Sequence, residues 1–249
     1  MMEDFEIIEN ERLDKDIFLL KLKNNGSFRA LPGQFAMIKI NDSYDPLLLR
    51  PFSFYNVSRE EIEFLYQIKG KGTYILSRKI KGNKLKIIAP LGTSFPLPSE
   101  NEKIAIVGGG MGIVPLSFLL NFISEKNIKI YSFIGFSTKI SKKIWKEFER
   151  KSSYFIISTE NGTLGEKGKI LEFVKDLNKF DRIYSCGPIS MLKELWKKVE
   201  NKSKLYLSLE ERMGCGIGIC LGCVFYGKEK NLHICKDGPV VSGGEVNFE

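Results

Sequence analysis

Apolar and polar residues alternate over short runs in the first part of the chain, and the pattern changes to strand-then-helix after residue 101. Phe5 to Leu13 and Ile17 to Lys23 alternate as half-buried strands do, and Asn24-Asn25-Gly26 reads as a hairpin turn. Pro32-Gly33-Gln34 breaks the chain before Phe35 to Ile40. Pro51 to Val57, Glu61 to Ile68 and Leu85 to Ala89 follow as further strands. Only Tyr74 to Ile80 has helical spacing here, with Thr73 expected as its N-cap. Closely spaced strands with turn punctuation predict a small antiparallel β-barrel over residues 1–97, closed by the turn Ala89-Pro90-Leu91-Gly92. Pro96 to Asn101 reads as a linker.

Residues 98–208 alternate instead between buried strands and amphipathic helices. The strands are Ile104 to Val107, Lys129 to Gly135, Tyr154 to Ser158, Arg182 to Cys186 and Lys204 to Leu209. Leu116 to Ser124, Ser141 to Arg150, Lys169 to Asn178 and Pro188 to Glu200 are the expected helices. Leu192, Leu195, Trp196 and Val199 recur at helical spacing. Five apolar strands joined by helices predict a doubly wound parallel sheet, whose ligands bind at the carboxyl ends of the strands. Residues 209–249 form a third, small module dominated by glycine and cysteine. The fold class expected is thus all-β plus α/β, with a cysteine-rich appendage.

Composition narrows the setting. At 249 residues and 43% hydrophobic, the chain can bury an ordinary globular core. No apolar run reaches the length of a membrane span, and the acidic start Met1-Met2-Glu3-Asp4 lacks the apolar stretch of a signal peptide. A cytoplasmic protein with no membrane contact is expected. The net charge of +8 comes from scattered lysines without a basic block, which reads as a solvated surface and predicts no nucleic-acid partner.

The strongest chemical signal is Cys215, Cys220, Cys223 and Cys235, spaced C-x4-C-x2-C-x11-C. That spacing fits the ligand pattern of a plant-type [2Fe–2S] cluster. Gly214, Gly216, Gly218 and Gly222 let the backbone curl around the sulfurs. A structural zinc site is the main competing reading, but zinc motifs usually carry two short knuckles and only one C-x2-C occurs here.

Weaker signals lie upstream. Arg50-Pro51-Phe52-Ser53 offers a guanidinium suited to a pyrophosphate and a hydroxyl, Ser53, suited to a flavin ring nitrogen. Gly72 and Thr73, in Gly70-Lys71-Gly72-Thr73, form a glycine-rich turn before a helix, which suits a phosphate but also serves as an ordinary helix cap. Gly108, Gly109, Gly110 and Gly112 follow a strand and precede a helix, the setting of a dinucleotide loop, although the spacing is not a strict G-x-G-x-x-G. Cys186, Gly187 and Pro188 sit at a strand end. Cys186 reads either as a small buried residue or as a thiol beside a nicotinamide. His233 is the only histidine, which nearly removes histidine-based catalysis.

Taken together the signals describe an electron carrier. NAD(P)H donates two electrons as hydride and an iron–sulfur cluster accepts one, so a flavin between them must split the pair. The order of the motifs resembles the ferredoxin–NADP reductase superfamily. Residues 209–215 and 235–240 closely resemble the electron-transfer subunits of type B dihydroorotate dehydrogenases, the PyrK family. The resemblance covers essentially the whole chain. It implies FAD bound by Arg50 to Ser53, by Leu65, Tyr66 and Gln67, and by Gly72 and Thr73. It implies a [2Fe–2S] cluster on the four cysteines, with NAD(H) as co-substrate. It also implies an FMN-containing dihydroorotate dehydrogenase catalytic subunit as partner, in a heterotetramer of two copies of each, serving pyrimidine (UMP) biosynthesis. The chain has no room for a dihydroorotate-oxidising barrel of its own, which takes roughly 250 residues. A diaphorase subunit of a hydrogenase or of a ferredoxin:NADP oxidoreductase would use the same cofactors. The glycine-rich Val240 to Gly244 departs from the family pattern.

Overall fold

The structure, a computed structural model, describes residues 2–124 and 127–248; the outermost residues of the first and third expected units, Met1 and Glu249, lie outside that range. The first sheet contains β1 (Glu3–Arg12), β2 (Ile17–Lys23), β3 (Phe35–Lys39), β4 (Arg50–Ser53), β5 (Asn56–Val57), β6 (Glu61–Gln67) and β7 (Lys84–Leu91). Their order is β4-β3-β7-β1-β2-β6-β5, antiparallel throughout. Period-2 alternation explains how each strand faces. On β2, Leu20 and Leu22 are fully buried while Lys21 points outward to Glu9, Glu61 and Glu63. The sheet curls until Phe52 of β4 meets Phe64 and Tyr66 of β6, with ring centroids 6.3 and 5.9 Å apart. Among the described residues no ladder joins β4 to the far edge, so aromatic side chains close the curl where a barrel would have backbone pairing.

Two local expectations change. Asn24-Asn25-Gly26 does not make a hairpin, because β2 pairs with β1 and β6 rather than with β3. The buried Asn24 side chain instead accepts from the amides of Gly26 and Phe28 and donates to the Ser58 carbonyl at 2.7 Å. The short helix α1 (Lys71–Ser77) starts earlier than Tyr74, with Gly70 as its N-cap. Thr73 therefore lies in the first turn, where its hydroxyl accepts from the amides of Lys69 and Gly70 at 2.9 and 3.2 Å.

The second sheet contains β8 (Lys103–Gly109), β9 (Lys129–Phe136), β10 (Tyr154–Thr159), β11 (Glu166–Lys167), β12 (Arg182–Cys186) and β13 (Leu205–Ser208). The helices α2 (Ile113–Ile123), α3 (Lys142–Lys151) and α4 (Ile189–Lys198) lie between its strands. The strand order β11-β10-β9-β8-β12-β13 is parallel and reverses beside β8, the switch point of a doubly wound sheet. The helix expected over 169–178 is absent. Two short 3₁₀ turns, Ile170–Glu172 and Leu177–Lys179, replace it. Asp176 between them takes a left-handed backbone (φ 50°), which an α-helix does not tolerate. Ile170, Leu171, Val174 and Leu177 still reach the core, which is why their spacing looked helical.

The tail crosses back over the molecule. A hairpin of β14 (Val224–Tyr226) and β15 (Asn231–His233) precedes β16 (Val240–Ser242), which pairs antiparallel with β13 as the last strand of the second sheet. The Thr93 amide donates to the Gly238 carbonyl at 2.6 Å, and the Thr93 hydroxyl donates to the Val240 carbonyl at 2.7 Å. One apolar cluster contains Phe35 and Met37 of the first sheet, Ala105 and Val107 of the second, and Cys223 and Cys235 of the tail. The three regions share one core around the cysteines.

Candidate functional site

The cysteine loop is built by backbone freedom. Gly216 and Gly218 have φ of 73° and 81°, and Leu221 also adopts a positive φ of 56°. A Cβ on Gly216 would overlap the Met37 side chain, so the glycine is what lets the loop rest on β3. The curled backbone aims amides at sulfur. Ile217 and Cys220 each donate to Cys215 Sγ at 3.4 Å, Gly218 donates to Cys235 Sγ at 3.1 Å and Cys235 donates to Cys223 Sγ at 3.3 Å. The amides of Cys220 and then Ile217 hold the Cys215 thiol down at about 6. Burial, and then contact with Cys223, pushes the Cys235 thiol up to about 12.

The four thiols sort into two pairs. Cys215 interacts most directly with Cys220 and Cys235 with Cys223, while Cys215 and Cys235 also act on each other across the cage. The first pair is accessible; the second is buried. Among the described residues no three His, Cys, Asp or Glu side chains converge as they would around a single ion. Two thiol pairs framed by amide donors suit a binuclear cluster, where each iron takes two thiolates.

Next to the cysteine loop is a cleft of about 260 Å³. Pro51, Phe52 and Ser53 of β4, Leu65, Tyr66 and Gln67 of β6, and Thr73 of α1 line it from the first sheet. Met111 of the glycine loop and Val114 of α2 line the opposite side, with Glu210 and Met213 from the approach to Cys215. Arg50 and Gly72 flank the cleft without lining it. Arg50 Nε would be 3.0 Å from a Cβ on Gly72, so the guanidinium lies over the start of α1. An arginine against an alanine-free first turn fits a diphosphate, and the flat apolar walls of Phe52, Leu65 and Met213 fit a ring system. Tyr66 donates to Asn10 Oδ1 at 3.0 Å and Gln67 donates to Asp16 Oδ2 at 2.7 Å.

A second cleft, about 350 Å³, opens at the carboxyl ends of β8, β9, β10 and β12. Gly109, Gly110 and Pro188 line it together with Gly135, Glu160 and Met191. The other glycines serve close packing. A Cβ on Gly112 would overlap the Cys186 carbonyl, and one on Gly187 would lie 3.0 Å from the Gly109 amide. Gly108 is pressed between Ile113, Ile134 and Leu116. Cys186 lines neither cleft. It is 1% exposed, and burial holds its thiol well above the usual range. Its register partner Ser208 lines the first cleft.

Met111, Val114, Glu210, Glu211 and Met213 lie within motifs already noted but were not expected to line the first cleft; Gly135 and Met191 of the second cleft fall outside the motifs. Glu210, Glu211 and Met213 could have been found from their position, since they immediately precede Cys215 in a stretch that must leave the second sheet and reach the cluster.

A curled antiparallel sheet, a doubly wound dinucleotide-type sheet and a cysteine module define the class: a ferredoxin–NADP reductase-like protein with an iron–sulfur appendage. The model of the iron–sulfur cluster binding domain of dihydroorotate dehydrogenase B matches residues 210–247. The dihydroorotate dehydrogenase B (NAD(+)) electron transfer subunit of Clostridium acetobutylicum is 37% identical over 97% of this chain and 95% of its own. That of Fusobacterium nucleatum is 35% identical over 100% of this chain and 99% of its own. The chain belongs to this family of electron transfer subunits. Among solved structures, a chain of the NADH-dependent reduced ferredoxin–NADP oxidoreductase superposes with a TM-score of 0.83 at 25% identity, over 98% of this chain and 90% of that one. A Neisseria gonorrhoeae ferredoxin NADP+ reductase with bound FAD and NADP shares the fold, with a TM-score of 0.67 at 14% identity over 83% of this chain and 97% of that one.

Proposed function

We propose that this chain carries electrons between NAD(H) and a partner's FMN, through FAD in the first cleft and a [2Fe–2S] cluster on Cys215, Cys220, Cys223 and Cys235. It does so as the electron-transfer subunit of an NAD-dependent dihydroorotate dehydrogenase, whose catalytic subunit oxidises dihydroorotate in pyrimidine synthesis. One observation carries the reading. A single cleft is lined by Ser53 from the first sheet, by Met111 from the glycine loop, and by Met213, two residues before Cys215. A group bound there touches the flavin-type sheet, the dinucleotide-type domain and the cluster loop at once.

Bound there, FAD would supply the chemistry that takes up a hydride's two electrons and releases them singly. The chain's residues provide the setting. Arg50 holds the diphosphate, and Phe52, Leu65 and Met213 exclude water from the ring. Ser53 and Thr73 supply hydroxyls, and Gly109, Gly110, Gly187 and Pro188 shape the entry of the nicotinamide nucleotide. Cys215 and Cys220 are the accessible end of the cluster, and Ile217, Ile219 and Leu221 around them are exposed apolar residues at 46%, 75% and 54%. An apolar collar around a cluster suits a partner subunit that docks over it and shortens the electron path. Residues 1–97, 98–208 and 209–249 divide into flavin, nucleotide and cluster units, with β16 of the last completing the sheet of the second. A heterotetramer with two copies of each subunit and a place in the cytoplasm complete the reading. Among the described residues no helix is long and apolar enough to cross a membrane.

The 0.83 TM-score to the ferredoxin–NADP oxidoreductase chain favours a second reading, a diaphorase subunit serving another partner. Anaerobic co-purification separates the two. The first expects a yellow-brown protein with the rhombic EPR signal of a reduced [2Fe–2S] centre, bound to an FMN subunit that forms orotate. A partner without FMN and without orotate formation removes the pyrimidine assignment.

A further inference from the structure

The cluster cysteines and the flavin cleft stand on different elements, so the distance between them depends on what joins those elements. The first cysteine loop rests on β3 at Gly216. The second cysteine segment, after Cys235, is the tail that departs from the family pattern. Pro239, four residues after Cys235, lines the first cleft. Its carbonyl accepts from the Leu209 amide at 2.9 Å, just past β13. One short stretch thus carries a cluster ligand, a wall of the flavin cleft and a strand of the second sheet.

Thr93 ties that stretch to the first sheet. It lies two residues past β7, and both its amide and its hydroxyl go to the tail. The amide donates to the Gly238 carbonyl at 2.6 Å. The hydroxyl donates to the Val240 carbonyl at 2.7 Å and accepts from the Val240 amide at 3.0 Å. In an extended strand the N–H and C=O of one residue point to the same side. Val240 belongs to β16, the edge of the second sheet, and among the described residues no strand flanks β16 on the side away from β13. A hydroxyl both donates and accepts, so the Thr93 side chain fills that side as a neighbouring strand would. The approach is close. A Cβ on Gly92 would be 2.5 Å from Pro239 Cδ, and one on Gly33 would be 2.6 Å from Val240 Cγ2. Both glycines have positive φ, 74° and 101°, and both let the first sheet reach the tail.

We propose that Thr93 is a positioning residue for electron transfer. Its hydroxyl registers the tail on the first sheet and so sets the separation between the cluster held by Cys235 and a flavin bound beside Pro239. Thr93 lines neither cleft, so it acts through others. Its effect passes through Gly238 and Val240 to the cleft wall at Pro239, and from there along four residues to Cys235. The hydride step takes place against the glycine loop of the second sheet and does not depend on it. Thr93 and Val240 are 147 residues apart in the chain, so no local motif marks the pair. This inference rests on the placement of FAD in the first cleft and of the cluster on the four cysteines.

The test compares anaerobic holoproteins. Thr93→Val keeps the shape and loses the hydroxyl, and Thr93→Ser keeps the hydroxyl. Hydrogen exchange at the Val240 amide is expected to quicken about tenfold in the valine variant and to stay near the wild-type rate in the serine variant. Stopped-flow mixing with NADH reads the hydride step, and flavin bleaching is expected to be unchanged in all three proteins. Laser-flash photoreduction of the flavin reads the transfer to the cluster separately. That transfer is expected to slow about tenfold in the valine variant and to recover in the serine variant. Thr93→Ala is expected to give the same split and replaces the valine variant if that protein does not keep its cofactors. Transfer at the wild-type rate without the hydroxyl overturns the proposal. A variant that slows flavin bleaching and transfer together, or a Val240 amide that exchanges no faster, makes Thr93 a structural contact only and overturns it equally. A loaded wild type whose photoreduced flavin passes no electron to the cluster removes the underlying cofactor placement, and the role of Thr93 with it.

Discussion

The two halves of the cysteine cage differ in almost every physical respect. Cys215 and Cys220 sit on a glycine-curled loop, within reach of solvent, and Cys215 takes two amide donors. Cys223 and Cys235 are 1% and 3% exposed, and they belong to the same apolar cluster as Phe35, Val107 and Leu207. One half is therefore held by local backbone geometry and the other by the core of the molecule. On the proposed reading the first half would face a docking partner, while the second adjoins the first cleft through Met213 and Leu209. The asymmetry gives direction to a cage whose ligands are chemically identical.

The largest effect that would sharpen this contrast comes from the buried half. Cys223→Ser puts a more polar hydroxyl in the core beside the Cys235 amide and removes a proposed cluster ligand at the same time. Iron and acid-labile sulfide should fall by more than about tenfold, with a thermal midpoint several degrees lower. Cys220→Ser should lose the cluster to the same extent while keeping both the fold and FAD, so NADH still bleaches the flavin. Equal midpoints for the two variants would erase the distinction drawn here. A step smaller is Gly216→Ala. Its φ of 73° and its overlap with Met37 should cost about 1–3 kcal/mol and lift the loop from β3. Gly214→Ala, whose Cβ would meet Cys220 Sγ at an ordinary 3.4 Å, should cost well under that. Chemical denaturation of the holoprotein ranks the two.

The flavin cleft provides an independent comparison. Arg50→Ala removes the guanidinium that lies over the start of α1 beside that cleft. FAD affinity should drop about 10–100-fold, the value of one charge-assisted pair. Flavin retained per protein after gel filtration measures it, and unchanged occupancy would detach Arg50 from the cofactor.

How much of this was visible in the chain itself differs between the same regions. The cysteine spacing marked four ligands because cluster chemistry restricts spacing tightly, and the parallel strands announced themselves as unbroken apolar runs such as Ile104 to Val107. What stayed hidden was whatever depends on contacts between distant segments. Ile170, Leu171, Val174 and Leu177 bury their side chains at helical intervals although Asp176 breaks the helix, so periodicity reported burial and not backbone. Asn24-Asn25-Gly26 has hairpin chemistry but no adjacent partner strand. Gly108 and Gly112, read as part of a phosphate-type loop, also let that loop and its neighbouring strands approach closely, which spacing alone does not reveal. Val240 to Ser242 is a strand of the second sheet because β13 leaves an edge for it, which no local pattern in Val240 to Gly244 reveals.

The smallest and most selective effect lies in the thiols themselves. In metal-free protein, the amides of Cys220 and Ile217 stabilise the Cys215 thiolate, so its pKa lies at about 6, below that of an ordinary thiol. The group is deprotonated above that value, and the stability this contributes is lost as pH falls through it. Burial acts oppositely on Cys235, whose thiol keeps its proton until about 12. Alkylation with iodoacetamide, followed by peptide mapping across pH 5 to 9, should therefore label Cys215 with a rate that rises through about 6 and then levels. Cys235 should stay unlabelled over the whole interval. Similar rates at the two cysteines would mean that the amide-lined and core-held halves of the cage do not differ before the cluster binds, and that any asymmetry in the loaded protein is made by the cluster.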